Sequence, residues 1–433
     1  MAFMCKFLRE NNQDLSEKLK FLDCVDLIST NFDCNEKEGF MGRQRYNPSL
    51  MRDTIKFLIP ETSSADVQER IMAISRITRL ICCIECHCTA KGMKAFKIGK
   101  LVGYLILCSN DPSENVCHWA ADGLHHLYTL ILQRKSMMKF GDSEEFEELL
   151  QEWEEEKLFW LAWFSDVSPT TVRFKKSLRA DEQLDVILVA IKGMRDDNIY
   201  RTKAATQMLK AMLRDPQPIF IKIPKIIKSL YSDLEHISDA RARQEVFRFL
   251  WMLGKSHPQE VVKTLLGCSI QCDCTASAMW NALTCFSEPA QKVLNVLQSI
   301  LLEQPLYSDG PGVKATLNPL AATTALYEIL RRPSPACREA LRAMYPMLSI
   351  ALLCQISYTV HFTPEEIDIY WSACIRQEIP TPPAPLRSAL RAFKGLIRRA
   401  GDGDQALIMN RRGGSELLVH RGTHQKGLTV FAR

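Results

Sequence analysis

The sequence predicts an all-α fold, an α-solenoid of stacked helical hairpins, and three observations carry that expectation. Apolar residues recur at helical rather than strand spacing from about residue 66 onward. Only 8% of the 433 residues are aromatic and only 19 are glycine, a composition unlike that of turn-rich sandwiches and barrels. Helix-opening residues, an Asp, Ser or Thr often beside a proline, punctuate the chain repeatedly. A hydrophobic share of 46% with 24% charged residues is that of a folded chain and excludes bulk disorder.

Residues 1–50 read as a short N-terminal helix followed by a polar loop over 29–49, which holds Gly39, Gly42 and Pro48. The first clear stripe is Val116, Trp119, Ala120, Gly123, Leu124, Leu127, Tyr128 and Ile131, opened by Asp111, Pro112 and Ser113. Leu184, Ile187, Leu188 and Ile191 repeat the pattern, and Ala205, Met208, Leu209, Met212 and Leu213 follow after Asp196 and Asp197. Ser238 and Asp239 open a helix with Val246, Phe249, Leu250 and Leu253 on one side, and Val293, Val296, Leu297, Ile300 and Leu301 form another stripe. Ser334-Pro335 opens a further helix, and Thr363-Pro364-Glu365-Glu366 has the spacing of a capping box.

Asp196 and Asp239 are 43 positions apart, inside the range of two-helix HEAT or armadillo units, roughly 40–47 residues. A helix with one apolar stripe cannot hide it alone, whereas stacked hairpins bury a continuous core by touching only their neighbours. Burial of each Leu or Phe contributes about 1.5–3 kcal/mol, enough for four or five per helix to drive docking. The expected organisation is an unplaced N-terminal segment over 1–50, a HEAT-like array over 51–378, a Pro-rich spacer over 379–386 and a basic terminal helical segment over 387–433. A long loop is expected over 304–319, which contains Pro305, Gly310, Pro311 and Gly312, and a kink or helix boundary near Tyr345, before Pro346.

Charge is unevenly placed. From Arg387 to the end there are ten Lys or Arg against three acids, while Asp142–Glu156 holds nine carboxylates and no basic residue. No apolar core of signal-peptide length forms near the N-terminus. The longest apolar run, Met347–Val360, is about 14 residues where a bilayer needs about 20. The expectation is a soluble, cytoplasmic protein with no transmembrane segment, whose 16 cysteines stay reduced and fill apolar positions.

Several segments resemble the maestro HEAT-like repeat family. They are Ser113-Glu-Asn-Val-Cys-His-Trp-Ala-Ala-Asp-Gly-Leu-His-His-Leu-Tyr128, Ala278-Met-Trp-Asn-Ala-Leu283, Pro385-Leu-Arg-Ser-Ala-Leu-Arg-Ala-Phe393, and Gly413-Gly-Ser-Glu-Leu-Leu418 with His424–Arg433. The resemblance runs from about residue 50 to the end and implies stacked helical repeats with no catalytic centre. It also implies that the helix opened at His424 continues, so a shortened form or a fragment of a longer array is expected.

No reaction is legible. There is neither a G-x-x-x-x-G-K-[ST] nor a G-x-G-x-x-G phosphate loop. Cys83 and Cys86 make a lone C-x-x-C among Cys82, His87 and Cys88, without the second ligand pair that a structural zinc site needs, and Cys268, Cys272 and Cys274 cluster far along the chain. His118, His125 and His126 with Cys117 and Asp122 fit surface and capping roles, because neighbours on a helix point apart. No catalytic residue, metal ligand or cofactor is therefore assigned. The expected function is that of a non-catalytic scaffold or adaptor that binds a protein partner over an extended helical surface. The contacts proposed for it are Trp160, Trp163 and Phe164, which otherwise seal an inter-repeat core, and Arg387, Arg391 and Arg398. The rival expectations are a nucleic-acid or anionic-membrane adaptor acting through the basic segment, and a cysteine-based metal or redox module.

Overall fold

A computed structural model of the protein describes residues 2–10, 15–30, 47–87, 96–137, 151, 162, 164–213, 222–306, 317–378, 384–401 and 414–432. Among them every regular element is helical, and the fold is an all-α repeat solenoid. The chain forms two compact units, Met1–Ile221 with Ile237–Ala242, and Lys222–His236 with Arg243–Arg433. No single described helix is long and apolar enough to cross a membrane.

In the first unit, helices α1 (Ala2–Glu10), α2 (Leu15–Thr30) and α3 (Pro48–Leu58) pack together. The single short helix expected before residue 29 is thus two helices. They meet in an aromatic cluster, with Phe7 and Phe21 stacked at 4.6 Å and Phe57 edge-on to both. Helix α4 (Val67–His87) buries Ala73, Ile74, Ile77, Leu80, Ile81 and Ile84 along one side. It lies against α6 (Glu114–Met137), which buries Val116, Ala120, Leu124, Leu127, Tyr128 and Ile131 of the predicted stripe.

The pairing of α4 with α6 has one constant step. Arg70 reaches Asp111, the Thr78 hydroxyl donates to the Trp119 carbonyl at 2.8 Å, and Glu85 meets His126, each pair 41 residues apart. Equal separations at three levels require the two helices to run parallel as equivalent parts of successive repeats. The repeat step is therefore 41 residues here, close to the 43 read from the Asp196–Asp239 spacing.

Helix α5 (Ile98–Cys108) forms the second layer with α8 (Ala180–Gly193), while α7 (Val167–Ser177) packs on α9 (Ile199–Met212). Leu184, Ile187 and Ile191 of α8 and Ala205, Met208, Leu209 and Met212 of α9 are buried as their stripes predict.

The second unit contains α10 (Ile223–Asp233), α12 (Pro258–Cys268), α13 (Cys274–Leu283) and α14 (Ser287–Leu301), and most of α11 (Ala240–Ser256). It continues through α15 (Asn318–Arg331), α16 (Pro335–Ala343), α17 (Tyr345–Val360), α18 (Pro364–Ile375), α19 (Pro385–Ala400), α20 (Gly414–Val419) and α21 (His424–Ala432). Three polar links between repeats span more residues in this unit. Thr324 donates to the Ile270 carbonyl across 54 residues, Ser334 to the Thr284 carbonyl across 50, and Gln355 to the Leu301 carbonyl across 54. All three steps bracket the Pro- and Gly-rich stretch 304–319, where the expected long loop lies outside the described residues over 307–316.

The helix openings follow their side chains. Asp239 accepts from the Ala242 N–H at 2.7 Å, and Ser334 from that of Cys337 at 3.0 Å. Thr363 and Glu366 close both bonds of the capping box. At α9 the cap is Asn198, which accepts from Tyr200, rather than Asp196 or Asp197. Pro346 falls at N2 of α17, where its missing N–H costs no bond, and α16 and α17 meet there at 77°.

Candidate interaction surface

Helix α19 is two-sided. Ala389, Ala392, Phe393, Leu396 and Ile397 are buried, and the helix packs on α15, α16 and α17. Arg387, Arg391 and Arg398 are exposed on its other side, and Arg399 donates to the Arg331 carbonyl at 3.1 Å. Helix α19 of the expected basic terminal segment is thus integral to the second unit. The Asp142–Glu156 stretch lies outside the described residues apart from Gln151, as do residues 379–383 of the expected spacer.

Of the aromatic trio, Trp160 and Trp163 lie outside the described residues. Phe164 corrects the expectation of a partner contact, because it is completely buried against Tyr128 and Phe174, with ring centroids 6.0 and 5.7 Å away. It serves the core.

Large apolar side chains stand exposed elsewhere, at positions that sequence reading did not single out. Met347 and Ile350 lie one turn apart on α17, and Trp371 and Ile375 one turn apart on α18, with Trp371 42% and Ile375 65% exposed. Their helices also carry buried faces, Leu348, Leu352 and Ile356 on α17 and Tyr370 and Cys374 on α18. The signal available in the sequence was apolar residues on more of the helix circumference than one docking face requires.

Burial raises the pKa of several thiols and so disfavours their thiolates. The Cys117 thiol donates to the Asp111 carbonyl at 3.1 Å and is pushed up by burial, so it offers no thiolate to His118. Burial likewise raises Cys108 and Cys272, and brings Cys337 up to about 11. Cys83 is buried in α4, Cys82 is half-buried and Cys86 exposed, while the side chain of His87 and all of Cys88 lie outside the described residues. Cys274 is exposed.

Buried ion pairs join successive helices. Arg70 Nε and Nη2 reach the Asp111 carboxylate at 2.9 and 3.0 Å, and Asp111 also accepts from the Ser113 N–H at 2.9 Å. Glu182 is enclosed by Arg134, whose Nη2 donates at 2.8 Å, and by the Arg179 backbone N–H at 3.0 Å. Burial works against the charge on Glu182, but Arg134 and then Arg179 outweigh it and hold the carboxyl below its ordinary range.

Around α6 the structure gathers groups that the sequence leaves scattered. Asp122, His125 and His126 share one face, and Glu85 of α4 meets His126 Nδ1 at 2.6 Å. Burial lowers His125, helped by the neighbouring His126. Burial also disfavours the His126 imidazolium, yet the Glu85 carboxylate overcomes it and raises that group.

Comparison with known proteins bears on the whole arrangement. A family model of Maestro HEAT repeats matches residues 68–294. Maestro heat-like repeat-containing protein family member 1 of Bos taurus is 29% identical over 271 residues, covering 59% of this chain and 16% of its own. Maestro heat-like repeat family member 5 of Homo sapiens is 25% identical over 364 residues, covering 78% of this chain and 27% of its own. Human family member 1 is 27% identical over 269 residues, covering 60% of this chain and 16% of its own. The chain thus spans between 16% and 27% of the length of these relatives. Since the family model takes in just over half of the 433 residues, and the helices within it stack at a HEAT-type step, the chain belongs to the Maestro HEAT-repeat family.

Proposed function

We propose that this chain is a non-catalytic scaffold that holds a protein partner on the outward faces of its second unit. The observation that carries this reading is the set of large apolar side chains left exposed on α17 and α18, Met347, Ile350, Trp371 and Ile375. A Trp at a surface supplies a rigid apolar anchor of the kind that dominates binding energy. Arg387, Arg391 and Arg398 on α19 add charge that favours a partner carrying both apolar side chains and carboxylates. Trp160 and Trp163 of the first unit are proposed as further contacts on sequence grounds. The buried pairs Arg70 with Asp111 and Arg134 with Glu182 are engaged in links between helices, which supports a binding role over catalysis, and a cytoplasmic location is proposed with it.

Proximity labelling in cells, compared between the full chain and a Trp371→Asp/Ile375→Asp variant of unchanged helicity, tests the reading. Loss of a defined set of neighbours is expected, and an unchanged set refutes it. A second reading, contact with nucleic-acid or lipid phosphates, is favoured by the exposed arginines of α19. It requires salt-dependent binding to RNA or to phosphatidylserine vesicles that Arg387→Glu/Arg391→Glu/Arg398→Glu removes.

A further inference from the structure

Three potential metal ligands stand on one turn of α6. Asp122, His125 and His126 occupy positions i, i+3 and i+4, which project from the same side of a helix. One ligand atom from each lies within 4.8 Å of the other two, and all three side chains are half-buried. Asp122 Oδ1 and His126 Nε2 are 3.7 Å apart. That is too long for a hydrogen bond. Two ligand atoms on a tetrahedral zinc, each about 2.0–2.2 Å from the metal, are separated by about 3.4 Å. The observed gap therefore closes onto a cation with small side-chain rotations.

A second, independent observation concerns the far side of the His126 ring. Nδ1 lies 2.6 Å from Glu85 Oε2, across the seam to α4. With the Nδ1 proton donated to Glu85, the neutral ring presents the Nε2 lone pair toward Asp122. Metal-bound histidines are typically oriented by such a carboxylate, which fixes the tautomer and raises the basicity of the ligating nitrogen. Glu85 belongs to the preceding repeat, so the orienting group and the ligands come from two successive repeats.

We propose that Asp122, His125 and His126 bind a divalent cation of the zinc class, with Glu85 as the carboxylate that positions His126. Two imidazoles and one carboxylate select a late first-row metal over magnesium or calcium, which take oxygen ligands. Three protein ligands leave a fourth position for water or for a donor group from a bound partner. Because the site spans the seam between α4 and α6, occupancy stabilises the first unit in proportion to free metal.

The test uses the full chain stripped with chelator, then titrated with Zn²⁺ by calorimetry and with Co²⁺ by absorption. One equivalent is expected to bind, with the visible bands of four-coordinate Co²⁺, and to raise the melting temperature reversibly with chelator. His125→Ala and Asp122→Asn should each weaken binding by at least about 100-fold, and Glu85→Gln by about 10–100-fold. His118→Ala, one turn earlier on α6, should leave it unchanged. Circular dichroism of each variant separates lost ligands from lost folding. Failure to bind one equivalent, or undiminished binding by a folded Asp122→Asn/His125→Ala variant, overturns the proposal. So does a thiolate-to-cobalt charge-transfer band, which would move the site to the cysteines of α4.

Discussion

A methyl group added at Gly99 would lie 2.1 Å from the Glu182 carbonyl oxygen and 2.7 Å from its carbonyl carbon and Cα. These are backbone atoms of α8, so no side-chain rotation relieves the clash, and α5 must retreat by more than about 1 Å to restore van der Waals separation. Retreat also loosens Gly103, where an added Cβ would sit 2.9 Å from the Val189 Cβ. Overpacking of this kind costs about 1–3 kcal/mol or more. Alanine recovers at most about 1 kcal/mol of helix propensity, and less at the second residue of a helix. The expected net effect of Gly99→Ala is a loss of about 2 kcal/mol. For a unit of this size that lowers its melting temperature by about 4–8 °C. Gly267 on α12 is the internal control, because an added methyl there meets nothing within 4 Å. Gly267→Ala should therefore stabilise the second unit by about 0.5–1 kcal/mol. Scanning calorimetry on both variants gives opposite signs if the close approach of α5 and α8 is real. A Gly99→Ala protein as stable as the parent refutes it.

Asp111→Ala leaves the buried Arg70 guanidinium without its carboxylate and should cost about 3–5 kcal/mol in urea denaturation, whereas Arg70→Met/Asp111→Leu should recover much of that loss. Glu182 has a depressed pKa, so its stabilising effect is present above its unfolded value and is lost as pH falls through the folded one. The stability gap between the parent and Glu182→Gln should therefore narrow below about pH 4.5, and a gap independent of pH would contradict the assignment. Leu250→Arg places a charge at a position with no solvent exposure and should unfold or aggregate the protein, as read by size-exclusion chromatography and circular dichroism; a soluble monomer of native helicity would contradict the stripe that predicts it.

What was legible in the sequence was whatever a single helix dictates. The stripes of α6, α8, α9, α11 and α14, the box at Thr363 and Glu366 and the boundary before Pro346 depend on neighbours a few residues apart, and they stand in the structure except that Trp119, Leu188 and Leu213 are only half-buried. What was not legible depends on a second helix. Gly99 and Gly103 look like propensity defects in α5 until α8 is seen to approach them. Asp111 reads as a helix opener because its bond to Ser113 is local, while its pairing with Arg70 spans 41 residues. Phe164 was open to either role on composition, since aromatic residues serve cores and interfaces alike, and only its contacts with Tyr128 and Phe174 decide it. The histidines of α6 pointed nowhere by themselves, because the group that orients His126 sits on α4.

The constant 41-residue step gives these polar links a shared physical role. Apolar stripes are tolerant of sliding, since moving one helix past another by a turn, about 5.4 Å, still sets leucine against isoleucine. The pairs Arg70 with Asp111, Thr78 with Trp119 and Glu85 with His126 tolerate no such shift, because one turn of slip breaks all three together and strands buried charge. Buried ion pairs add little net stability over apolar replacements, but they can penalise the wrong register strongly. In the second unit Thr324, Ser334 and Gln355 do the same against backbone carbonyls, without charge and at a longer step. Within each unit a stack whose hydrophobic surfaces alone leave its alignment degenerate thus acquires a unique one, and in the first unit that alignment is what holds Glu85 opposite His126.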